Sequence, residues 1–224
     1  MNLAINVQGL ERIYDTGSQR VVALQGVNLQ VPIGQFVAVK GRSGSGKTTL
    51  LNCLGGLDRG DAGTIHIFDR NITQLNDAQL TEWRSQEIGF IFQSFGLLPT
   101  LSAFENVELL LRIAGMPYKQ RQERARHCLN LVGLEKWAHH RPYEMSGGQQ
   151  QRVAIARAIA NKPQVILADE ATGELDTETG SEILSLFRRL VNEESLTILL
   201  ATHNSQVDDF VHQILFLQDG TIVA

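Results

Sequence analysis

Only two cysteines occur in 224 residues, Cys53 and Cys128. They are far apart and match no metal-binding spacing, which excludes a disulfide framework and a cysteine-ligated cage. Both read as packing residues of a reduced, cytosolic compartment. Long apolar runs are missing as well, and none approaches the ~20 residues that a membrane-spanning helix needs. The opening Met-Asn-Leu-Ala-Ile-Asn has neither the basic flank nor the apolar stretch of an export signal. No internal repeat and no low-complexity linker interrupts the chain. An excess of either charge is missing too: 20 Lys and Arg against 24 Asp and Glu leave a net −4, which gives no electrostatic case for nucleic acid. What is present, 43% hydrophobic and 20% charged residues, is ordinary for a globular protein. A chain of this length suits one domain with one substantial core and room for an inserted lobe.

The first forty residues read as strands, with Val21 to Leu29 rich in β-branched and apolar residues. Pro32-Ile33-Gly34 turns the chain into a buried strand, Phe36 to Val39. Gly63 to Phe68 is a short strand, Asn76 to Arg84 a helix, and Ile88 to Phe92 an apolar strand. From Ser94 to about Met145 the pattern turns helical. Ala103 to Ile113 and Tyr118 to Leu131 carry apolar residues three and four apart. Strand signals resume at Val165 to Ala168, a continuous apolar run that fits a strand covered on both faces. Thr177 to Asn192 predicts a helix, Thr197 to Ala201 a strand, Gln206 to Phe210 a short helix and Gln213 to Leu217 the final strand. Strands alternating with helices imply a parallel sheet with helices on its faces.

Gly-Arg-Ser-Gly-Ser-Gly-Lys-Thr, starting at Gly41, fits the phosphate-cradling pattern of a glycine, four free positions and Gly-Lys-Ser/Thr. Gly41, Gly46, Lys47 and Thr48 hold the fixed positions, with Ser43, Gly44, Ser45 and Thr49 completing the cradle. The preceding strand and the following helix, Lys47 to Leu54, supply the context the motif needs. Glycines let backbone N–H groups turn inward around phosphate oxygens, and the helix N-terminus favours an anion. Lys47 brings a full charge to the outer phosphates, and the Thr48 hydroxyl can ligate Mg²⁺. Cys53 stands near enough to this loop that its alkylation is expected to disturb nucleotide binding indirectly. Downstream, the strand Val165 to Ala168 ends in Asp169-Glu170. Ligands of open α/β sheets bind at that strand end. Asp169 is placed to hold the metal through water, and Glu170 to orient or deprotonate an attacking water.

Between these motifs lies Met145-Ser146-Gly147-Gly148-Gln149, followed by Gln150-Gln151-Arg152. Ser146 reads as the N-cap of a helix running to Ala160, and a serine with two glycines at a helix start forms an anion site. Here the chain resembles an ATP-binding-cassette (ABC) ATPase, whose signature is Leu-Ser-Gly-Gly-Gln, with Met145 standing in for leucine. The resemblance covers nearly the whole chain. It implies a phosphate-loop, RecA-like α/β fold: a mostly parallel sheet core, an N-terminal antiparallel β subdomain and an inserted α-helical subdomain at about 94–160. One nucleotide-binding domain spans 1–224.

The resemblance also assigns residues. Tyr14 matches the aromatic that stacks on adenine. Gln93 matches the glutamine that reaches the metal and the attacking water. Asp176 matches the loop that crosses the dimer interface, and His203 the histidine that contacts the γ-phosphate. Ser146, Gly147, Gly148 and Gln149 would face ATP held by a second chain. His66, His127, His139, His140 and His212 have no such match and read as solvated or packing residues. Three departures stand out: Arg42 for a common proline, Ala171 for the proline after the catalytic glutamate, and Asn204 where aspartate is common. Ala171 is expected to loosen the backbone beside Glu170.

The implied protein binds and hydrolyses ATP with Mg²⁺ and pairs head to tail with a second ATPase subunit. It sits in the cytoplasm on the inner face of the cell membrane against a separate permease. Phe95, Leu97, Leu98 and Phe104 are candidates either for the permease contact or for the lobe's own core. The likeness is nearest to lipoprotein-release and macrolide-export ATPases, on Ile88 to Gln93, Leu97-Leu98-Pro99, Glu105-Asn106-Val107 and Gln149 to Arg157. The end at Ala224 leaves two readings open, a complete subunit or a piece of a fused ATPase–permease. A soluble ABC ATPase without transport and a nucleotide-gated scaffold are the alternatives; Glu170 and His203 speak against the scaffold.

Overall fold

The computed structural model describes residues 2–15, 17 and 19–223; Met1 and Ala224, the limits of the expected domain, lie outside them. Alternation of apolar and polar side chains shapes the N-terminal third. In β2 (Arg20–Pro32), Val27, Leu29 and Val31 are buried while Asn28 and Gln30 between them are exposed. β2 pairs antiparallel with β1 (Leu3–Asp15), which also pairs with β4 (Ala62–Ile67); β5 (Arg70–Asn71) closes a four-stranded sheet in the order β2-β1-β4-β5.

Short apolar runs build the second sheet. β3 (Phe36–Lys40), β6 (Ile88–Ile91), β7 (Val165–Asp169), β8 (Thr197–Thr202), β9 (Gln213–Gln218) and β10 (Thr221–Val223) lie in the order β10-β9-β3-β8-β7-β6. All neighbours are parallel except the β9–β10 hairpin. The hairpin turns through Asp219 and Gly220, both at positive φ, the two-residue turn that Asp-Gly favours. Gln213 to Leu217 is therefore not the final strand. The helix expected at Gln206 to Phe210 is a 3-10 turn, Ser205–Asp209.

Helices fill the connections: α1 (Lys47–Leu54), α2 (Asp77–Glu87), α3 (Ala103–Ile113), α4 (Tyr118–Leu131), α5 (Gly147–Ala158) and α6 (Thr177–Glu194). α5 stops two residues before Ala160, because Lys162 at φ 55 and Pro163 turn the chain into β7. Three of the helices open on reciprocal capping boxes, at Asn76, Ser102 and Ser146. Between β6 and β7 the chain runs through α3, α4 and α5, which pack on one another.

The parallel sheet divides two cores. Phe36, Ala38, Ile166, Ala168, Ile198 and Leu200 face the side of α3 to α6. Their chain neighbours Val37, Val39, Val165, Leu167, Leu199 and Ala201 face the core shared with α1 and the antiparallel sheet. All twelve are at most 1% exposed, which explains why these strands read as unbroken apolar runs.

Candidate functional site

β3, β7 and β8 run parallel and end together, so the residues after them share one edge. After β3 the chain enters the glycine-rich loop. Gly46 has φ 103 and serves as the N-cap of α1. That conformation is closed to L side chains, and an added Cβ would run into the Ala23 carbonyl oxygen. Gly41 is forced by contact instead: a Cβ there would meet the Leu217 carbonyl and Ser45 Oγ. Ser45 is buried, its Oγ without a hydrogen-bond partner among the described residues.

Lys47 opens α1 and is 7% exposed. Its ammonium donates to the carbonyls of Gly41 at 2.8 Å and Arg42 at 3.1 Å, and lies 3.7 Å from Glu170 Oε1. The cation is thereby pinned over the loop. Thr48 donates to Asp169 Oδ2 at 2.7 Å, while Asp169 Oδ1 is buried without a partner among the described residues. Burial pushes the Asp169 carboxyl up, and the Thr48 bond only partly offsets it. Two oxygens of this kind, one of them unspent, are the donors a hard divalent cation takes. Among the described residues no group of three or more His, Cys, Asp or Glu forms a protein-only metal cage. That suits a cation shared with a phosphate.

Glu170 follows at φ 47, a left-handed conformation that costs a non-glycine residue about 1–2 kcal/mol. The surroundings hold it there. Its N–H donates to the Ala201 carbonyl at 2.9 Å, and its own carbonyl accepts from Gly173 at 2.8 Å. Its carboxylate accepts from Thr202 Oγ1 at 3.1 Å and lies 2.9 Å from His203 Nδ1. Beside it Ala171, where the family resemblance has proline, is 3% exposed, and the Glu170 backbone is tied on both sides. Asn204 caps the turn after His203, accepting from the Gln206 N–H at 2.9 Å as an aspartate would.

A cleft of about 450 Å³ collects Tyr14, Ser43, Gly44, Gly46, Lys47, Thr48, Thr49, Gln93, Glu170 and His203. Gly41, Ser45 and Asp169 underlie it through the contacts above. Ser146, Gly147, Gly148, Gln149 and Asp176 do not line it. They gather at the N-termini of α5 and α6, where Gly148 abuts Thr179 and Gly147 approaches Leu175. Asp176 caps α6, and the Thr179 N–H and hydroxyl hold its carboxyl below the usual range.

A roomier cavity lies elsewhere. A groove of about 980 Å³ runs between α2, β6 and α3, lined by Leu57, Phe92, Leu110, Ile113 and Arg157 among others. Arg157 donates to the carbonyls of Phe95 and Gly96, just past Gln93. Of the four apolar candidates for a partner contact, Leu97 and Phe104 pack on the core and Leu98 is exposed.

Sequence reading missed several residues here. Thr202 precedes His203 at the strand end that delivers ligands, so its position was a signal. Arg12 and Asp58 gave none, because their partners are 44 to 46 residues away, and Arg157, part of a stretch carrying the resemblance, had no role assigned to it. Cys53 is buried and its thiol is pushed up to about 12, chiefly by burial, which makes it a slow target for alkylation in the native protein.

Comparison with known proteins places this geometry. The family model described as ABC transporter matches residues 24–173. An uncharacterized ABC transporter ATP-binding protein of Thermotoga maritima is 51% identical over 211 residues, covering 94% of this chain and 90% of the relative. The macrolide export ATP-binding/permease protein MacB of Hahella chejuensis is 43% identical over 220 residues, 98% of this chain but 34% of that protein. The ATP-binding cassette MJ0796, solved as a dimer in a post-hydrolysis state with ADP and Pi, superposes with a TM-score of 0.90 at 42% identity. The match covers 98% of this chain and 97% of that one.

Proposed function

This chain belongs to the ABC transporter family, and we propose that it is the ATPase subunit that drives a membrane permease of the export type. The observation that carries the proposal is the convergence of Lys47, Thr48, Asp169, Glu170 and His203 on one cleft at the ends of three parallel strands. The whole of 1–224 acts as one nucleotide-binding domain, with residues 94–160 as its helical subdomain.

ATP lies with its base on Tyr14 and its phosphates in the loop from Gly41 to Thr49. Lys47 already points its ammonium over the loop, so phosphate oxygens replace the Gly41 and Arg42 carbonyls as its partners. Thr48, Asp169 and Gln93 are the residues that would hold Mg²⁺, and the ion would neutralise charge on the outer phosphates. Glu170 accepts a proton from the attacking water, and His203 orients beside the γ-phosphate, close enough now to keep the carboxylate turned toward the cleft. Most of the rate comes from this positioning.

Ser146, Gly147, Gly148, Gln149 and Asp176 stand apart from the cleft, which fits a role across a dimer. They complete the cleft of a second ATPase subunit, in keeping with the dimeric structure of the cassette MJ0796. Among the described residues no helix is long and apolar enough to cross a membrane. The permease is thus a separate polypeptide or a further segment, as in the MacB relatives named for both parts. The apolar groove beside Gln93 receives the permease, and the subunit works from the cytoplasmic side. Nucleic acid has no part in this reading.

Substituting Glu170→Gln tests the assignment. ATP binding is retained and the ATP-bound dimer accumulates, while turnover falls about 10²–10⁴-fold. Native turnover in that variant, measured by phosphate release, would show that Glu170 is not the base.

A further inference from the structure

Tyr14 is held as tightly as the phosphate loop. Its hydroxyl donates to Asp58 Oδ2 at 2.6 Å. The Arg12 guanidinium lies over its ring, 4.5 Å from the centroid, and grips the same Asp58 through Nε at 3.0 Å and a second nitrogen at 2.9 Å from Oδ1. Arg12 also reaches Asp61 at 3.3 Å, and Asp61 accepts the Ile13 N–H at 2.7 Å. One face of the ring is thus covered by a cation that resists its turning, and the charge-assisted bond from the hydroxyl fixes where the ring's far end lies.

Asp58 is not on the strand that carries Tyr14. It lies four residues past the end of α1, and its N–H donates to Asn52 inside that helix at 3.2 Å. α1 begins at Lys47. A single carboxylate therefore joins the aromatic platform to the far end of the helix whose near end holds phosphate.

We propose that Arg12 and Asp58 are positioning residues for the nucleotide base, fixing the Tyr14 ring at a set distance and tilt relative to the phosphate loop. They do not touch ATP. The inference rests on the reading of Tyr14 as the surface on which the base stacks. Arg12 covers one face, leaves the opposite face for a base and resists the ring's turning edge-on, while Asp58 anchors the ring's far end against swinging away. Burial and the Asp58 bond push the Tyr14 hydroxyl's pKa up, so it stays a donor throughout the neutral range. Asp58 stays ionised: burial raises its carboxyl, but bonds from Tyr14, the Arg59 N–H and Arg12 outweigh burial and hold it low.

Isothermal titration of the full chain with Mg-ATP and with inorganic tripolyphosphate, which has no base, tests both layers. Tyr14→Ala weakens ATP about tenfold and leaves tripolyphosphate unchanged, as loss of one stacked base demands. Asp58→Ala weakens ATP about three- to tenfold, again sparing tripolyphosphate, and has no further effect in the Tyr14→Ala background. Tyr14→Phe, which removes only the anchoring hydroxyl, weakens ATP about threefold and serves if Asp58→Ala does not fold. Asp58→Asn restores part of the affinity, and kcat at saturating ATP is unmoved. If Tyr14→Ala binds ATP as the native chain does, the stacking reading fails and the positioning role fails with it. If Tyr14→Ala behaves as expected, three results overturn the positioning role alone. These are no effect of either Asp58→Ala or Tyr14→Phe, equal losses for both ligands, or the same loss of ATP with and without Tyr14.

Discussion

Replacing Gly46 by alanine separates backbone strain from collision in the phosphate loop. Gly44 and Gly46 both have positive φ, 80 and 103. A Cβ at Gly44 meets nothing within 4 Å, whereas one at Gly46 runs into the Ala23 carbonyl and comes within 3.2 Å of Leu24 Cδ2. Gly44→Ala therefore carries only the left-handed penalty of about 1–2 kcal/mol. In a chain of this size that lowers Tm by about 2–8 °C. Gly46→Ala carries the penalty and must also move backbone. The Ala23 oxygen is on β2 and buried Leu24 cannot yield, so the loop itself shifts, by something on the order of 1 Å. A displacement of that size in a phosphate site costs about 10²-fold in rate. Steady-state phosphate release and thermal melts on both variants provide the check. Gly46→Ala should lose about 10²-fold in kcat/KM, and Gly44→Ala should lose stability with kcat/KM within about tenfold of native. Equal losses of kcat/KM, or a near-native Gly46→Ala, would refute the steric argument.

Three further outcomes follow from the same structure. Cys53 and Cys128 are buried, with thiols pushed up to about 12 and about 11 mainly by burial. Iodoacetamide at neutral pH should leave ATPase activity intact and label both sites only after denaturation; native-state labelling by mass spectrometry would contradict this. Asp61, Glu105 and Asp176 are held low by N–H bonds from Ile13, Ser102 and Thr179, in that order. Their folded pKa values lie below the unfolded ones. Their contribution is thus present above the ordinary carboxylate range and lost as pH falls through the folded values, against the single opposing shift of Asp169. Tm should hold from pH 7 to about 5 and drop below about 4, with Asp176→Asn flattening the acid limb; a Tm that rises on acidification would exclude it. Ser146→Ala removes the oxygen that accepts the Gln149 N–H and costs about 1 kcal/mol, readable as a Tm lower by about 2–4 °C.

Much of this fold was legible because the signals were strong locally. Ala103–Ile113 and Tyr118–Leu131 match the helices read from apolar spacing, and Val165 to Ala168 is the two-face-buried strand its composition implied. The phosphate loop was readable because glycine, lysine and threonine each answer a separate steric or charge requirement at fixed spacing. β10 escaped notice because three residues carry no periodicity; only the Asp219-Gly220 turn announced it. Which residues share the cleft was partly legible from strand ends. The partners that hold them were not, since Asp58 meets Tyr14 through tertiary geometry alone.

The parallel sheet acts as a party wall between two separately furnished rooms. Phe36 and Val37 are adjacent in the chain, yet one belongs to each side. Well-separated substitutions on opposite sides should therefore sum independently in stability, and those in contact on one side should not. Repacking deep among the helices can then leave the core beneath the phosphate loop as it was.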